Sequence, residues 1–323
     1  MKTMSFSLAY PDISMWRGGN TSTEGVWHFD SGRPGRHVLI SALVHGNELC
    51  GAWALKGLLE AGIRPAKGKL TLIFANLAAF DRFDPAQHDA SRYVDEDMNR
   101  QWLDERIQSA SSYERKRVAE LAPWVRQADR LLDLHSMHEP GPPLLLTGMH
   151  QRNLELAREL GSPMHIVMDG GHEDGVRMRD YGHFGLPDLQ AAHSRSVLIE
   201  CGFHGDFSSR DVARDQCARF LACSGVVDTT TVHSALPGWQ GTDANEQWVL
   251  EVTGRVVARS DRFRFTVPYQ GLECIPCAGT VIGDNAGEPV TTPYDDCILV
   301  MPSTRQARAG VTVVRFARRR RLT

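Results

Sequence analysis

The chain has 323 residues, with 36 Lys and Arg against 39 Asp and Glu and a formal net charge of −3. That near balance excludes a general polyanion-binding role. A hydrophobic share of 42% with 23% charged residues gives enough apolar material for a full core, and no run of about 18 apolar residues is present to cross a membrane as a helix.

Met1–Tyr10 carries no sustained apolar region of the secretory kind. Residues 1–36 are irregular in pattern, with turn signals at Gly18-Gly19-Asn20 and Gly32-Arg33-Pro34-Gly35. His37 to Val44 reads as a buried strand, and a helix follows from Leu49 to about Ala61, stopped by Gly62 and Pro65. Lys69–Asn76 is a second buried strand, and Leu77 to Gln101 is polar and aperiodic, which marks a long functional loop. The spacing of Val118, Leu121, Ala122 and Val125 predicts a helix over 113–127. Arg130–His135 is a short buried strand, Leu144–Leu146 another, and 154–160 a helix. Residues 169–188 form a loop rich in Gly, Asp, His and Arg. A strand at Ser196–Glu200 and a helix from about Asp211 to Val226 follow.

Strands alternating with helices predict an α/β fold, a mostly parallel mixed sheet with helices on both faces. After about Ser234 short strand-like runs punctuated by Gly and Pro predict a small C-terminal all-β module. The expected division is therefore 1–234, 235–317 and a solvated basic tail at 318–323. The seven cysteines, irregularly spaced, read as reduced thiols of a cytoplasmic protein. Cys274-Ile275-Pro276-Cys277 is a lone C-x-x-C without a thioredoxin-like context and reads as strand thiols.

The chemistry centres on Leu43-Val44-His45-Gly46-Asn47-Glu48-Leu49, where a histidine and a glutamate three apart sit on the turn from a strand into a helix. Taken alone, H-x-x-E is a weak signal and more often a polar turn with a capping residue. His135 and Glu200, however, end two further strands, and in parallel sheets ligands converge at the carboxyl ends of strands. Two histidines and one glutamate are the protein-ligand set of an open catalytic zinc site. Between them, Ser91 to Arg100 carries Arg92, Asn99 and Arg100. A guanidinium grips a carboxylate through two parallel charge-assisted hydrogen bonds, and Asp95, Glu96 and Asp97 would fix the arginines' rotamers.

In order along the chain, His45-Gly46-Asn47-Glu48, Arg92 to Arg100, Asp133-Leu134-His135-Ser136 and Ile199-Glu200-Cys201-Gly202 resemble the motifs of the succinylglutamate desuccinylase/aspartoacylase family of the zinc carboxypeptidase superfamily. The resemblance spans about residues 37–225. It implies one Zn²⁺ per chain held by His45, Glu48 and His135, with Glu200 as general base and acid. It implies Arg92 on the scissile carbonyl or acyl part, Asn99 and Arg100 on a substrate carboxylate, and Asp133 steering His135. Apart from the resemblance, the loop 169–188, with His172, Arg177, Arg179, Asp180, Tyr181 and His183, reads either as a specificity loop whose arginines suit an acidic substrate or equally as a simple solvated loop.

The tail module is similar to the lipoyl/biotinyl-like β-sandwich of these hydrolases, but no lysine follows Lys116, so a swinging-arm role is excluded. The substrate-contacting tyrosine of aspartoacylases has no counterpart after Met301, the last tyrosine being Tyr294. The expected function is zinc-dependent hydrolysis of the amide bond of a small N-acyl amino acid. The alternatives are a metallocarboxypeptidase acting on short peptides, a peptidoglycan-type amide hydrolase, or an inactive binding relative. The expected partner is the small-molecule substrate, with no nucleic acid and no membrane; a homo-oligomer is possible.

Overall fold

Which way a strand's side chains face is decided by their alternation, and in this chain both faces are covered. The computed structural model describes residues 6–171, 174–244, 246–305 and 307–320. Strand β1 (Val26–Asp30), strand β2 (His37–Ala42), helix α1 (Leu49–Glu60) and strand β3 (Lys69–Phe74) come first. They are followed by the short α2 (Leu77–Phe80) and α3 (Asp104–Gln108), the long α4 (Tyr113–Gln127) and β4 (Arg130–Met137). Next are β5 (Leu144–Leu146), α5 (Gln151–Leu160), β6 (His165–Met168), β7 (Arg195–Phe203), α6 (Phe207–Ser224) and α7 (Thr229–Ala235). The C-terminal part adds β8 (Trp248–Val257), β9 (Arg264–Phe265), β10 (Glu273–Ile275), β11 (Val281–Asn285), β12 (Glu288–Thr291), β13 (Cys297–Val300) and β14 (Thr312–Arg320).

Eleven strands form one mixed sheet in the order β1-β3-β2-β4-β7-β5-β6-β8-β14-β13-β10, and β12-β11-β9 form a second, small antiparallel sheet. β3, β2, β4 and β7 run parallel; β5 is antiparallel to β7 and parallel to β6. β6 pairs in parallel with β8, and from β8 onward the ladder is antiparallel. The C-terminal antiparallel module is thus joined edge to edge with the α/β part.

In β2, Val38, Ile40 and Ala42 pack towards α1 and α6, while Leu39 packs with Val118, Leu121 and Val125 of α4. In β4, Leu132 and Leu134 face the first cluster and Leu131 the second; in β7, Val197 and Ile199 face the first and Leu198 the side shared with the C-terminal strands. The period of two then puts Asp133, His135 and Glu200 on the α4 side, away from α1 and α6. Their strands end there, between the α4 cluster and the C-terminal module.

The helix over 113–127 and the parallel strands form as the sequence predicts. Three parts differ. β1 lies inside the stretch read as irregular; it is short, carries His28 mid-strand and is an edge held by antiparallel pairing to β3. The long polar loop contains α2 and two single turns of 3₁₀ helix, His88–Ser91 and Met98–Arg100, too short to show a period. Finally, Arg318–Arg320 are not a frayed tail. They continue β14 against Glu251, Leu250 and Val249 of β8, with Arg318 over Tyr294 and Arg319 over Trp248, each guanidinium carbon 3.9 Å from the ring centre. Among the described residues, no helix is long and apolar enough to cross a membrane, and all seven cysteines are free.

The turn after β2 depends on Gly46, whose amide donates to Arg92 O at 3.1 Å. A Cβ there would meet backbone atoms of Ala79, Phe80 and Ser91 at 2.3–2.4 Å. Gly46→Ala must displace two chain segments at once and should destabilise the protein by about 1–3 kcal/mol. Urea denaturation measures this; an unchanged midpoint would show that α2 and the 88–91 turn yield without cost.

Candidate metal centre and substrate cavity

The chain leaves β2 through Leu43, a non-glycine residue at φ 60°. Such left-handed backbone is uncommon for a bulky side chain and persists where its surroundings impose it. Here Asn76 N–H and Ala75 N–H donate to Leu43 O and Ala42 O at 2.7 and 2.8 Å, tying the exit of β2 to the chain beyond β3. Glu48 then occupies the N-cap of α1 without making a side-chain capping bond. Its carboxylate is used elsewhere. Oε1 lies 2.8 Å from His45 Nδ1, and Oε2 lies 2.8 Å from His135 Nδ1 and accepts from Ser136 N–H at 3.3 Å. The two imidazoles stand edge to face with ring centres 5.2 Å apart.

Each imidazole has a second carboxylate at its other nitrogen. His45 Nε2 is 3.0 Å from Asp97 Oδ1, and His135 Nε2 is 2.8 Å from Asp133 Oδ2. Asp133 also accepts from Ser41 Oγ at 2.6 Å. A carboxylate at Nε2 fixes a ring's tautomer so that Nδ1 presents its lone pair, the outer arrangement of metal-ligating histidines. One ligand atom from each of His45, Glu48 and His135 lies within 4.8 Å of the others, and all three residues are buried. Buried N, O and N donors at that separation fit a zinc ion. Burial opposes the charge on Glu48, yet His45 and His135 hold its carboxyl well below the ordinary range. Burial likewise opposes the charge on Asp97, which His45 and Arg92 hold well below it.

Glu200 stands directly across from His135 in the β4–β7 register. Burial, and then the charge of Glu48, push its carboxyl up to about 8. Its Oε2 is buried without a hydrogen-bond partner among the described residues. A carboxyl group so placed is equipped to hold and pass on a proton.

A cavity of about 420 Å³ opens over these groups, lined among others by Arg92, Asn99, Arg100 and Arg177. Arg92 reaches Glu48 Oε1 at 3.4 Å and Asp97 Oδ2 at 3.2 Å. Asn99 uses Oδ1 to accept from Met178 N–H at 2.9 Å, which leaves its Nδ2 as the donor side. Arg100 pairs with Asp174 at 3.3 Å, and its Nη1 donates to Asn99 O at 2.9 Å. Arg177 donates to Asp169 at 2.9 Å, and the same carboxylate oxygen receives Arg315 at 3.2 Å.

Arg179 does not reach the cavity. It is fully buried, lies 3.2 Å from Asp180 and packs against Gly148, where a Cβ would come within 2.8 Å of its Nη1. A 3₁₀ turn over Met178–Asp180 sends the two arginines apart. Of the same loop, Tyr181 donates to Asp104 at 2.8 Å and His183 meets Ala128 O at 2.8 Å, both structural contacts; His172 lies outside the described residues. Asp95 and Glu96 do not serve the site arginines: Asp95 accepts from Tyr113 N–H at 2.8 Å, and Glu96 pairs with Arg115 at 2.8 Å.

Several cavity residues carry no sequence signal. His138 and Glu139 follow β4, while Arg255, Arg308 and Arg315 come from the C-terminal strands and loops. Behind the cavity, wholly buried Glu114 at the start of α4 accepts from Val94, Asp95 and Glu96 N–H at 2.6, 3.0 and 3.2 Å, and from Asn76 Nδ2 at 3.0 Å. In the sequence it is an ordinary acid in a helix's first turn; in the fold it anchors the segment bearing Arg92, Asp97 and Asn99.

Residues 34–191 match the family model of the succinylglutamate desuccinylase/aspartoacylase catalytic domain. The chain is similar in fold to a succinylglutamate desuccinylase/aspartoacylase from Rhodobacter sphaeroides, with 16% identity, 90% of this chain and 87% of the other covered, and a TM-score of 0.63. It is also similar to the succinylglutamate desuccinylase of Chromobacterium violaceum, at 18% identity, 93% and 89% covered, and a TM-score of 0.62. A third likeness is to the product-bound ectoine utilization protein EutE (DoeB) of Ruegeria pomeroyi, at 15% identity, 88% and 85% covered, and a TM-score of 0.60. Comparison with the curated proteins gives no match.

Removing the Glu114 carboxylate leaves four donors without their acceptor, the Asn76 amide fully buried and the three backbone N–H groups partly so. Glu114→Ala should therefore cost about 3 kcal/mol or more, read from chemical denaturation. A loss no larger than that for an exposed acid such as Glu105 would show that the 94–96 turn is held by other contacts.

Proposed function

We propose that this chain, whose residues 34–191 match the family model of the succinylglutamate desuccinylase/aspartoacylase catalytic domain, is a zinc-dependent hydrolase cleaving the amide bond of a small N-acyl amino acid. The observation that carries this reading is the meeting of His45, Glu48 and His135 beside Glu200, under a cavity lined with arginines. His45, Glu48 and His135 would hold the ion. When bound, zinc supplies Lewis acidity to a carbonyl and to water.

The remaining work falls to the chain's own side chains. Glu200 takes a proton from the attacking water and delivers it to the departing amine nitrogen. Burial and the charge of Glu48 raise its pKa, and a dication held by Glu48 would draw it back towards the range in which one carboxyl can both take and give a proton. Arg92 faces the cavity as a fixed cation, placed to receive the negative charge that develops on the acyl oxygen. Arg100 and the Nδ2 of Asn99 offer parallel donors to a carboxylate, which sets the register of the amino-acid part. Arg177 lies on the same wall and suits a second anionic group. A small cavity closed by C-terminal strands favours a compact acyl amino acid over a peptide.

A panel of N-acetyl, N-formyl and N-succinyl amino acids, with dipeptides alongside, tests this on zinc-loaded protein. Free amine should appear from acyl amino acids in preference to dipeptides, and the protein should retain about one zinc per chain. Faster cleavage of dipeptides would make it a carboxypeptidase; zinc binding with no turnover at all would make it a binding relative. Glu200→Gln should keep its zinc and its affinity for substrate while kcat falls by roughly two to four decades. Near-normal turnover in that variant would remove Glu200 from the mechanism.

A further inference from the structure

Arg92 is held on three sides, and one of the holders is a histidine. Its Nη1 lies 3.3 Å from His138 Nε2. A guanidinium can only donate, so Nε2 must present its lone pair. At the far side of the ring, Nδ1 lies 3.1 Å from Asp89 Oδ1. An ionised carboxylate can only accept, so Nδ1 must carry the hydrogen. Both ends demand the same tautomer.

His204 extends the chain. It is fully buried, its Nε2 lies 3.4 Å from His138 Nδ1, and its Nδ1 lies 2.7 Å from Ser136 Oγ. The one hydrogen on His138 Nδ1 goes chiefly to Asp89 and is shared with His204 Nε2 at the longer distance, so His204 faces it as an acceptor and its own Nδ1 donates to Ser136. The opposite assignment would set donor against donor at Arg92. Charge agrees with this: burial lowers the pKa of His138, its bond to Asp89 opposes that, and the nearby Arg92 cation lowers it further. Asp89 is itself held well below the ordinary carboxyl range by its bonds to His138 and His88, and Arg305 approaches it at 3.8 Å. Glu48 also acts on the ring, from the candidate-ligand side of Arg92.

We propose that Asp89 and His138 are a positioning pair for Arg92, fixing where its guanidinium points in the cavity. The proposal rests on the role given to Arg92 above. The other two holders of Arg92 are charged and engaged elsewhere: Glu48 in the candidate ligand set, and Asp97 behind His45. A neutral imidazole acceptor holds the guanidinium in place without neutralising it. That matters for a group whose use is its positive charge at one point, because a displacement of about an ångström can cost roughly a hundredfold in rate.

His138→Leu should lower kcat by roughly 10- to 100-fold, with KM and zinc content unchanged. His138→Gln keeps an acceptor oxygen towards Arg92 and should recover most of that loss. Long-range ¹⁵N spectra of histidine-labelled, metal-free protein, with His138→Gln for assignment, should show the His138 ring neutral with its hydrogen on Nδ1. A hydrogen on Nε2, a charged ring at pH 7, or wild-type kcat in His138→Leu would overturn the proposal. Should the wild-type protein hydrolyse no acyl amino acid, the functional reading falls by itself, and the ¹⁵N spectra still decide whether His138 is the acceptor for Arg92.

Discussion

Four carboxyl groups, those of Glu48, Asp97, Asp133 and Glu200, crowd into one poorly hydrated corner where β2, β4 and β7 end. Burying a carboxylate is costly unless it is paired and hydrogen-bonded, and the surrounding chain is organised to meet that demand. His45 and His135 each lie between two carboxylates. Arg92 leans on two of the four, and Ser41 and the amide of Ser136 supply neutral donors. A dication among the three candidate ligands would complete this balance. The turn of Leu43 to Glu48, the close packing at Gly46 and the anchoring by Glu114 all follow from keeping these few groups in register.

The C-terminal strands contribute on the same terms. Arg315 reaches Asp169 from β14, and Arg177 reaches the same carboxylate from the loop after β6. Burial, opposed by Asp169, lowers the pKa of Arg315 to about 10. A single buried aspartate thus joins two distant parts of the chain at the cavity wall. Arg305 and Ser303 do the same farther out through Glu139, at 2.8 and 3.3 Å. The C-terminal strands thus present arginines, Arg255 and Arg315 among them, to the cavity.

The convergence of His45, Glu48, His135 and Glu200 was legible because the first two share a short motif after β2 and the others lie towards the carboxyl ends of β4 and β7, which converge in a parallel sheet. Arg92, Asn99 and Arg100 were legible as a polar run, although the run did not reveal that Asp95 and Glu96 face α4 and its cap. Arg177 and Arg179 looked equivalent in sequence; only the 3₁₀ turn between them separates a cavity residue from a buried one. Glu114, His138, Asp89 and Arg315 could not be read, because each acts through partners far away in the chain. Glu114 meets amides 18 to 20 positions earlier, and Arg315 meets an acid 146 positions before it. Nothing local marks such residues as different from a surface acid or a strand arginine. The edge strand β1 and Arg318–Arg320 at the end of β14 escaped for the same reason, their structure being imposed by a neighbouring strand.

The ladder from β6 to β8 has a mechanical corollary. His165 to Met168 are zipped to Trp248 to Glu251 within the main sheet, so the two sides of the cavity hang from one continuous frame. Prising them apart would mean tearing that seam. The spacing across the cavity is therefore set by the sheet itself, with Gly271 and Gly310 among the residues that line it.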